Sequence, residues 1–184
     1  MRERLIAARL AMSAAAHVDA SARVRELVLE RLTPVAGRLV GGYWPILGEV
    51  DCVPLLERIL EAGGATALPV VTGPKRPLRF RPWTPGAAMA SGRWDIPHPV
   101  EGPAVRPDVL LVPLVGFDAA GHRLGYGGGF FDRTLALLNP RPLAIGIGFE
   151  LGRLATLTPQ PHDQPMDLVI TEAGVFETIN QRSG

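Results

Sequence analysis

The chain has 184 residues, 47% of them hydrophobic and 20% charged, with a formal net charge of +1. A chain of this length suits one domain, 1–184, able to bury roughly 70% of the surface its unfolded form exposes. Near-neutral charge leaves no electrostatic case for nucleic acid or an anionic membrane as partner, and a single cysteine, Cys52, excludes an internal disulfide or a cysteine-based zinc site. Lys75 is the only lysine. Met1-Arg2-Glu3-Arg4 leads into an amphipathic stretch rather than an apolar signal core, and no run of about 18 apolar residues follows. The expectation is a cytoplasmic monomer.

Leu5, Ile6, Leu10 and Met12, set among arginines and alanines, predict an amphipathic helix over 3–12. Ser13 and the following alanines interrupt that pattern, so a second helix is expected to start at Asp19 or Ser21. Its inner face would be Val24, Leu27, Val28 and Leu32. Leu39 to Trp44 reads as a strand. A helix carrying Val53, Leu55, Leu56, Ile59 and Leu60 follows, closed by Gly63-Gly64, and then a strand from Ala65 to Val71. This strand–helix–strand succession is what a parallel sheet covered by helices requires. Residues 72–107 are rich in Pro, Arg and Gly, and Leu78 to Trp83 alternates as an edge strand does. The rest of that segment reads as an irregular, substrate-facing insertion. Strands are then expected from Asp108 to Val112, from Pro142 to Phe149 and from Asp167 to Thr171. The fold class is therefore α/β, a mostly parallel sheet flanked by helices.

Between the strand at Asp108 and a helix carrying Phe130, Phe131, Leu135 and Leu138 lies Arg123 to Arg133, RLGYGGGFFDR. Gly127, Gly128 and Gly129 lack a Cβ, so backbone N–H groups there can approach a ligand closely. The first N–H groups of the following helix have no internal partners and favour negative charge. Arg123 adds a forked cation, and Asp132, in the first helical turn, a carboxylate able to hold a divalent cation. The residues alone leave two readings, a phosphate cradle or a tight turn with Asp132 merely suiting the helix dipole. Elsewhere, Glu49 reads as a carboxylate near a ligand site or an exposed one at a helix start. Trp94 reads as core or as an aromatic face. Asp163, beside His162, reads as metal ligand, general base or turn. Asp118 suits a turn, and His17, His98 and His122 read as ordinary surface or loop residues.

The run from Val112 to Arg133, VPLVGFDAAGHRLGYGGGFFDR, resembles the signature of the 5-formyltetrahydrofolate cyclo-ligase family, also called 5,10-methenyltetrahydrofolate synthetases. GYWPILGEVD and the Trp94-Asp95-Ile96-Pro97 segment are similar to further stretches of that family. The resemblance implies a fold related to the sugar-phosphate isomerases and CoA transferases. It implies small-molecule partners, a reduced folate and ATP, with Mg²⁺ as cofactor. It implies ATP-driven ring closure of 5-formyltetrahydrofolate through a phosphorylated formyl group. Alternatives within reach are a related ATP-dependent enzyme of the same fold or a non-catalytic nucleotide-binding module.

Residue by residue, the resemblance assigns ATP to Arg2, Arg123, Leu124, Gly125, Tyr126, Gly127, Gly128, Gly129, Phe130 and Phe131. It assigns folate to Trp44, Glu49, Trp94, Tyr126 and Phe130, and Mg²⁺ to Asp132 with Asp163. Two departures stand out. The family's N-terminal Lys-then-Arg pair is represented by Arg2 alone, its lysine position falling before Met1, so that either the chain starts earlier or another cation serves. Phe130-Phe131 also replaces the usual pair of tyrosines.

Overall fold

Alternation along the strands explains the layering. In the computed structural model, which describes residues 1–178, Val109 and Leu111 face one buried cluster, while Leu110 and Val112 face another. Successive side chains of a strand point to opposite faces, so a strand apolar at every position must be covered on both. After α1 (Arg2–Leu10) come α2 (Ala14–Leu32) and α3 (Val53–Glu61), and the first cluster packs under these last two, chiefly through Val28, Leu32, Leu56 and Ile59. The second lies under α4 (Phe130–Leu137), through Leu135.

In chain order the strands are β1 (Leu39–Gly41), β2 (Ala65–Val71), β3 (Leu78–Pro82), β4 (Met89–Ser91), β5 (Pro97–Pro99), β6 (Val109–Pro113), β7 (Gly116–Phe117), β8 (Arg123–Leu124), β9 (Leu143–Ile147), β10 (Leu168–Thr171) and β11 (Gly174–Glu177). Seven form one sheet in the order β11-β10-β9-β6-β1-β2-β3. The five inner strands are parallel, and β3 and β11 run antiparallel at the edges. β1 is the first strand, and the chain moves out to β2 on one side before returning to β6 on the other. The crevice beyond the carboxyl ends of β1 and β6 is thus the topological switch point, where open α/β sheets bind ligands. The mostly parallel sheet flanked by helices is as the sequence implies.

Four local expectations need correction. α2 begins at Ala14, with Ser13 Oγ accepting from Ala16 N at 3.2 Å, and runs through Asp19 and Ser21, which cap nothing. Alanine is the strongest helix former, so a helical turn formed where the apolar period was silent. β1 is shorter than expected, ending at Gly41. Its glycines let neighbours come close: a Cβ on Gly41 would lie 2.7 Å from a Leu110 methyl, and one on Gly42 2.8 Å from Leu56. Residues 72–107 are more regular than expected, since beyond β3 they contain the β4–β5 hairpin with a single short helical turn, Arg93–Asp95, at its tip. Finally, β11 pairs with β10 where no strand was foreseen. No helix among the described residues is long and apolar enough to cross a membrane.

Candidate functional site

One cavity of about 920 Å³ opens at the switch point. Four pieces of chain build its walls. The loop after β1 brings Trp44 and Glu49, and the β4–β5 tip brings Trp94. The segment from Arg123 through the glycines to Asp132 forms the floor, and the loop before β10 brings Asp163. Every residue nominated from the sequence, Arg2 included, lines this cavity.

The glycine segment is positioned by the β7–β8 ribbon, whose turn is closed by Asp118. Asp118 is buried, and its carboxylate accepts from the N–H groups of Ala120, His122 and Leu157 and from the His122 ring at 2.9–3.1 Å. Burial alone would raise its pKa, but the bonds from Leu157 and His122 hold it below the usual value. The turn reading for Asp118 is therefore the right one. Beyond β8, Gly127 and Gly129 take φ of 86° and 61°, left-handed values that favour glycine, and Gly129 is the N-cap of α4. Gly128 is needed for space instead: a Cβ there would lie 2.8 Å from the Phe130 ring.

Charged groups hold the cradle in place. Arg2 Nε donates to Gly125 O at 2.5 Å. Arg133, passed over in the sequence, donates to Gly128 O at 2.5 Å and lays its guanidinium 5.1 Å from the Phe130 ring centre. Arg123 and Asp132, nominated separately for phosphate and metal, pair with each other at 2.6 Å, with side chains only 8% and 13% exposed. Arg123 also donates to Gln164 O, and Gln164 N to Asp132 Oδ1. That last bond ties the loop carrying Asp163 to α4. Asp163 Oδ2 accepts from Gln160 N at 2.8 Å. Among the described residues, Asp132 Oδ2 and Asp163 Oδ1 accept no hydrogen bond, and no cluster of three or more His, Cys, Asp or Glu forms a metal-ligand group.

In the loop after β1, Glu49 is 4% exposed and so is not the solvent-facing carboxylate its loop position allowed. Its Oε2 accepts from Ile46 N at 2.9 Å and its Oε1 from the Tyr126 hydroxyl at 2.8 Å. Burial pushes the carboxyl above its ordinary pKa, against the pull of those two bonds and of the Arg9 charge. Burial, then the Glu49 charge, raises the Tyr126 phenol too. Arg9 was missed entirely. It is 5% exposed and donates to Tyr126 Oη at 2.6 Å, Leu47 O at 2.9 Å and Leu114 O at 3.2 Å. A signal existed: Leu5 and Arg9, four apart, share the buried stripe of α1.

Trp94 is 59% exposed, which ends the core-packing reading, and meets Phe130 edge-to-face at 5.7 Å. Trp83, by contrast, is core at 5%. The histidines are less idle than expected. His98 and His122 line the cavity, and the His17 ring lies 3.1 Å from the Gly48 and Glu49 carbonyl oxygens. Cys52 is buried, its thiol pushed up to about 12 by burial.

A glycine cradle facing a buried carboxylate through an aromatic-rimmed cavity is the arrangement that the sequence resemblance leads one to look for, and comparison with known proteins decides the kinship. The model of the 5-formyltetrahydrofolate cyclo-ligase family matches residues 1–172. The chain belongs to that family. It is 35% identical over 150 residues to the 5-formyltetrahydrofolate cyclo-ligase of Mycolicibacterium smegmatis, covering 74% of this chain and 75% of that one. It is 34% identical over 137 residues to that of Escherichia coli K12, covering 71% and 75%. Among solved structures, the NMR structure of Aquifex aeolicus 5,10-methenyltetrahydrofolate synthetase superposes with a TM-score of 0.84 at 30% identity, over 100% of this chain and 93% of that one. A synthetase from Mycoplasma pneumoniae, 24% identical with a TM-score of 0.75, shares the fold. The cyclo-ligase signature thus coincides with the cavity floor.

Proposed function

We propose that this protein closes the ring of 5-formyltetrahydrofolate to 5,10-methenyltetrahydrofolate, consuming ATP and releasing ADP and phosphate. The observation that carries the reading is the bond between Tyr126, on the glycine cradle, and the buried Glu49, at 2.8 Å. In this reading it joins the phosphate-binding turn to a polar anchor for a second ligand within one cavity. At about 920 Å³ that cavity lies near the top of the usual range of roughly 300–1,000 Å³ for small-molecule sites, which suits two ligands side by side.

The chemistry asks for positioning and charge neutralisation more than for acid–base side chains. The formyl oxygen attacks the γ-phosphorus and ADP leaves. N10 then attacks the activated formyl carbon, the C–O bond to phosphate breaks, and the N10 proton departs. In this reading the N–H groups of the glycine turn and the start of α4 hold the phosphates, with Arg2 beside them. Glu49 accepts hydrogen bonds from the pterin or its neighbouring nitrogen atoms, and Trp94 with Phe130 supplies apolar faces for its flat ring. Arg123 keeps Asp132 in place. The two carboxylate oxygens left unbonded, Asp132 Oδ2 and Asp163 Oδ1, fit Mg²⁺, which takes oxygen ligands and retains waters and phosphate oxygens. When bound there, the ion supplies positive charge against the transferring phosphoryl group.

The test is the near-ultraviolet absorbance of the methenyl product on mixing protein, 5-formyltetrahydrofolate, ATP and Mg²⁺. Product that depends on both ATP and Mg²⁺ is expected. Absence of product, or product formed without nucleotide, would overturn the proposal.

A further inference from the structure

Arg9 is a buried cation joined to the Glu49 carboxylate through a hydroxyl. Its guanidinium donates to Tyr126 Oη at 2.6 Å, and Tyr126 in turn donates to Glu49 Oε1 at 2.8 Å. Because both donors of the fork and Nε are used, the side chain also grips two backbone carbonyls, Leu47 O and Leu114 O. Those carbonyls lie in the loops that leave the carboxyl ends of β1 and β6. Helix α1 therefore clasps both lips of the switch-point crevice with one residue.

The loop carrying Glu49 needs such a clasp. Leu47 takes φ of 49° and Gly48 φ of 71°, and a non-glycine residue in the left-handed region costs of order 1 kcal/mol and persists only where its surroundings insist on it. Among the described residues, the side-chain holds on that turn from outside it are Arg9 at Leu47 O, His17 at the Gly48 and Glu49 carbonyls, and Tyr126 at the Glu49 carboxylate. Two of the three pass through Arg9 or its partner. The glycine loop is tied to the same helix, by Arg2 at Gly125 O and by Arg9 at Tyr126 Oη.

From this geometry we infer that Arg9 is a positioning residue that couples the two halves of the cavity: by holding the Tyr126 hydroxyl against Glu49, it makes occupation of the glycine cradle and occupation of the Glu49 side mutually favourable. A ligand that orders the glycine loop fixes Tyr126, and with it the Glu49 carboxylate and its strained turn. A ligand that engages Glu49 fixes Tyr126 in return. Coupling of this kind is reciprocal by thermodynamic necessity. The inference rests on the proposed pair of ligands, and it adds the residue that links them.

The experiment measures each affinity in the absence and presence of the other ligand, by calorimetry, using 5-formyltetrahydrofolate and a β,γ-methylene ATP analogue with Mg²⁺. In the unaltered protein each ligand is expected to tighten the other about tenfold, within the usual span of coupling between sites. Tyr126→Phe keeps the ring and removes only the hydroxyl, so the coupling factor should fall to about one. Arg9→Met should do the same, and Arg9→Lys, which keeps the charge without the fork, should not restore it. Tyr126→Phe carries the test if an Arg9 variant fails to fold. Coupling that survives Tyr126→Phe, or that Arg9→Lys preserves, overturns the inference. Two ligands that bind the unaltered protein independently overturn it while leaving the proposed function standing. A protein that binds neither ligand overturns both.

Discussion

Adding one methyl group to the cradle separates its glycines into those required for space, those required for backbone shape and those required for neither. At Gly128 the new Cβ of Gly128→Ala would sit 2.8 Å from two carbons of the Phe130 ring, where carbon atoms settle at about 3.5–4.0 Å. The ring must therefore recede by about 0.7 Å or swing. The Trp94 ring, edge-on at 5.7 Å, and the Arg133 guanidinium at 5.1 Å pack against it and limit where it can go. Overpacking of this sort costs about 1–3 kcal/mol, and at 1.4 kcal/mol per tenfold the expected loss is roughly 5- to 100-fold in affinity for a Mg²⁺–ATP analogue. At Gly127, φ is 86° and the nearest atoms are those of the Arg2 guanidinium, 3.7 Å or more away. Alanine there costs about 1–2 kcal/mol through the backbone instead. At Gly125 nothing lies within 4 Å of the new Cβ and the backbone is not left-handed, so Gly125→Ala should change stability by no more than about 0.5 kcal/mol. Calorimetric titration and urea unfolding of the three variants give the comparison. Equal affinity losses at Gly125 and Gly128 would refute the account of the cradle.

Asp132→Asn should cost about 2 kcal/mol or more in urea unfolding, because it leaves a nearly buried Arg123 without its anion, and should also abolish Mg²⁺-dependent turnover. Asp163→Asn, at a side chain 33% exposed, should abolish that turnover with stability within about 0.5 kcal/mol of the parent; turnover unaffected in both variants would exclude the metal role. Asp118 has a folded pKa below its ordinary value, so its stabilising contribution is complete above about pH 3.9 and is lost as pH falls from there through the folded value. Asp118→Asn should accordingly flatten the acid limb of urea midpoint against pH, and parallel limbs would contradict this. Trp94→Ala should weaken 5-formyltetrahydrofolate binding while sparing nucleotide and stability, since the side chain is 59% exposed; titration of each ligand alone shows which affinity is lost.

The sheet was legible because its inner strands are apolar at nearly every position, Thr66 and Thr171 apart, a pattern that points to two-sided burial. The cavity floor was legible because three consecutive glycines between a strand and a helix leave few other uses. What the sequence hid were contacts made across the fold. Arg9 looked like one arginine among several on a short basic helix, since nothing local shows that it meets Leu47, Leu114 and Tyr126, up to 117 residues away. Arg123 and Asp132 were each legible as charges, but not as a pair, because one stands on β8 and the other on α4 and their meeting depends on how the glycine turn between them runs. The Ser13 cap went unseen because alanines carry no apolar period, and β4 and β5 because strands of three residues, the second of them with Pro97 and Pro99, fall below any periodic signal.

Backbone strain tells the same story from another side. Four described non-glycine residues have left-handed φ: Leu47, Lys75, Trp94 and Asp95. Leu47 and Trp94 both line the cavity. Such conformations cost of order 1 kcal/mol or more apiece and gather where a side chain has to be held out of its relaxed position. At Leu47 the holder is Arg9, and the consequence is a carboxylate two residues on, turned inward and buried. At Trp94 and Asp95 the Ser91 hydroxyl bonds the Asp95 carboxylate at 3.1 Å and Arg93 lies over the indole at 4.5 Å. An indole otherwise free to collapse onto the hairpin is thereby presented to the cavity. Trp94→Gly separates the two contributions, because it relieves the backbone and deletes the ring together: stability should rise above that of Trp94→Ala by about 1 kcal/mol while folate affinity stays equally low. A glycine variant no more stable than the alanine one would mean that the turn is relaxed as it stands, and that the exposure of Trp94 needs another cause.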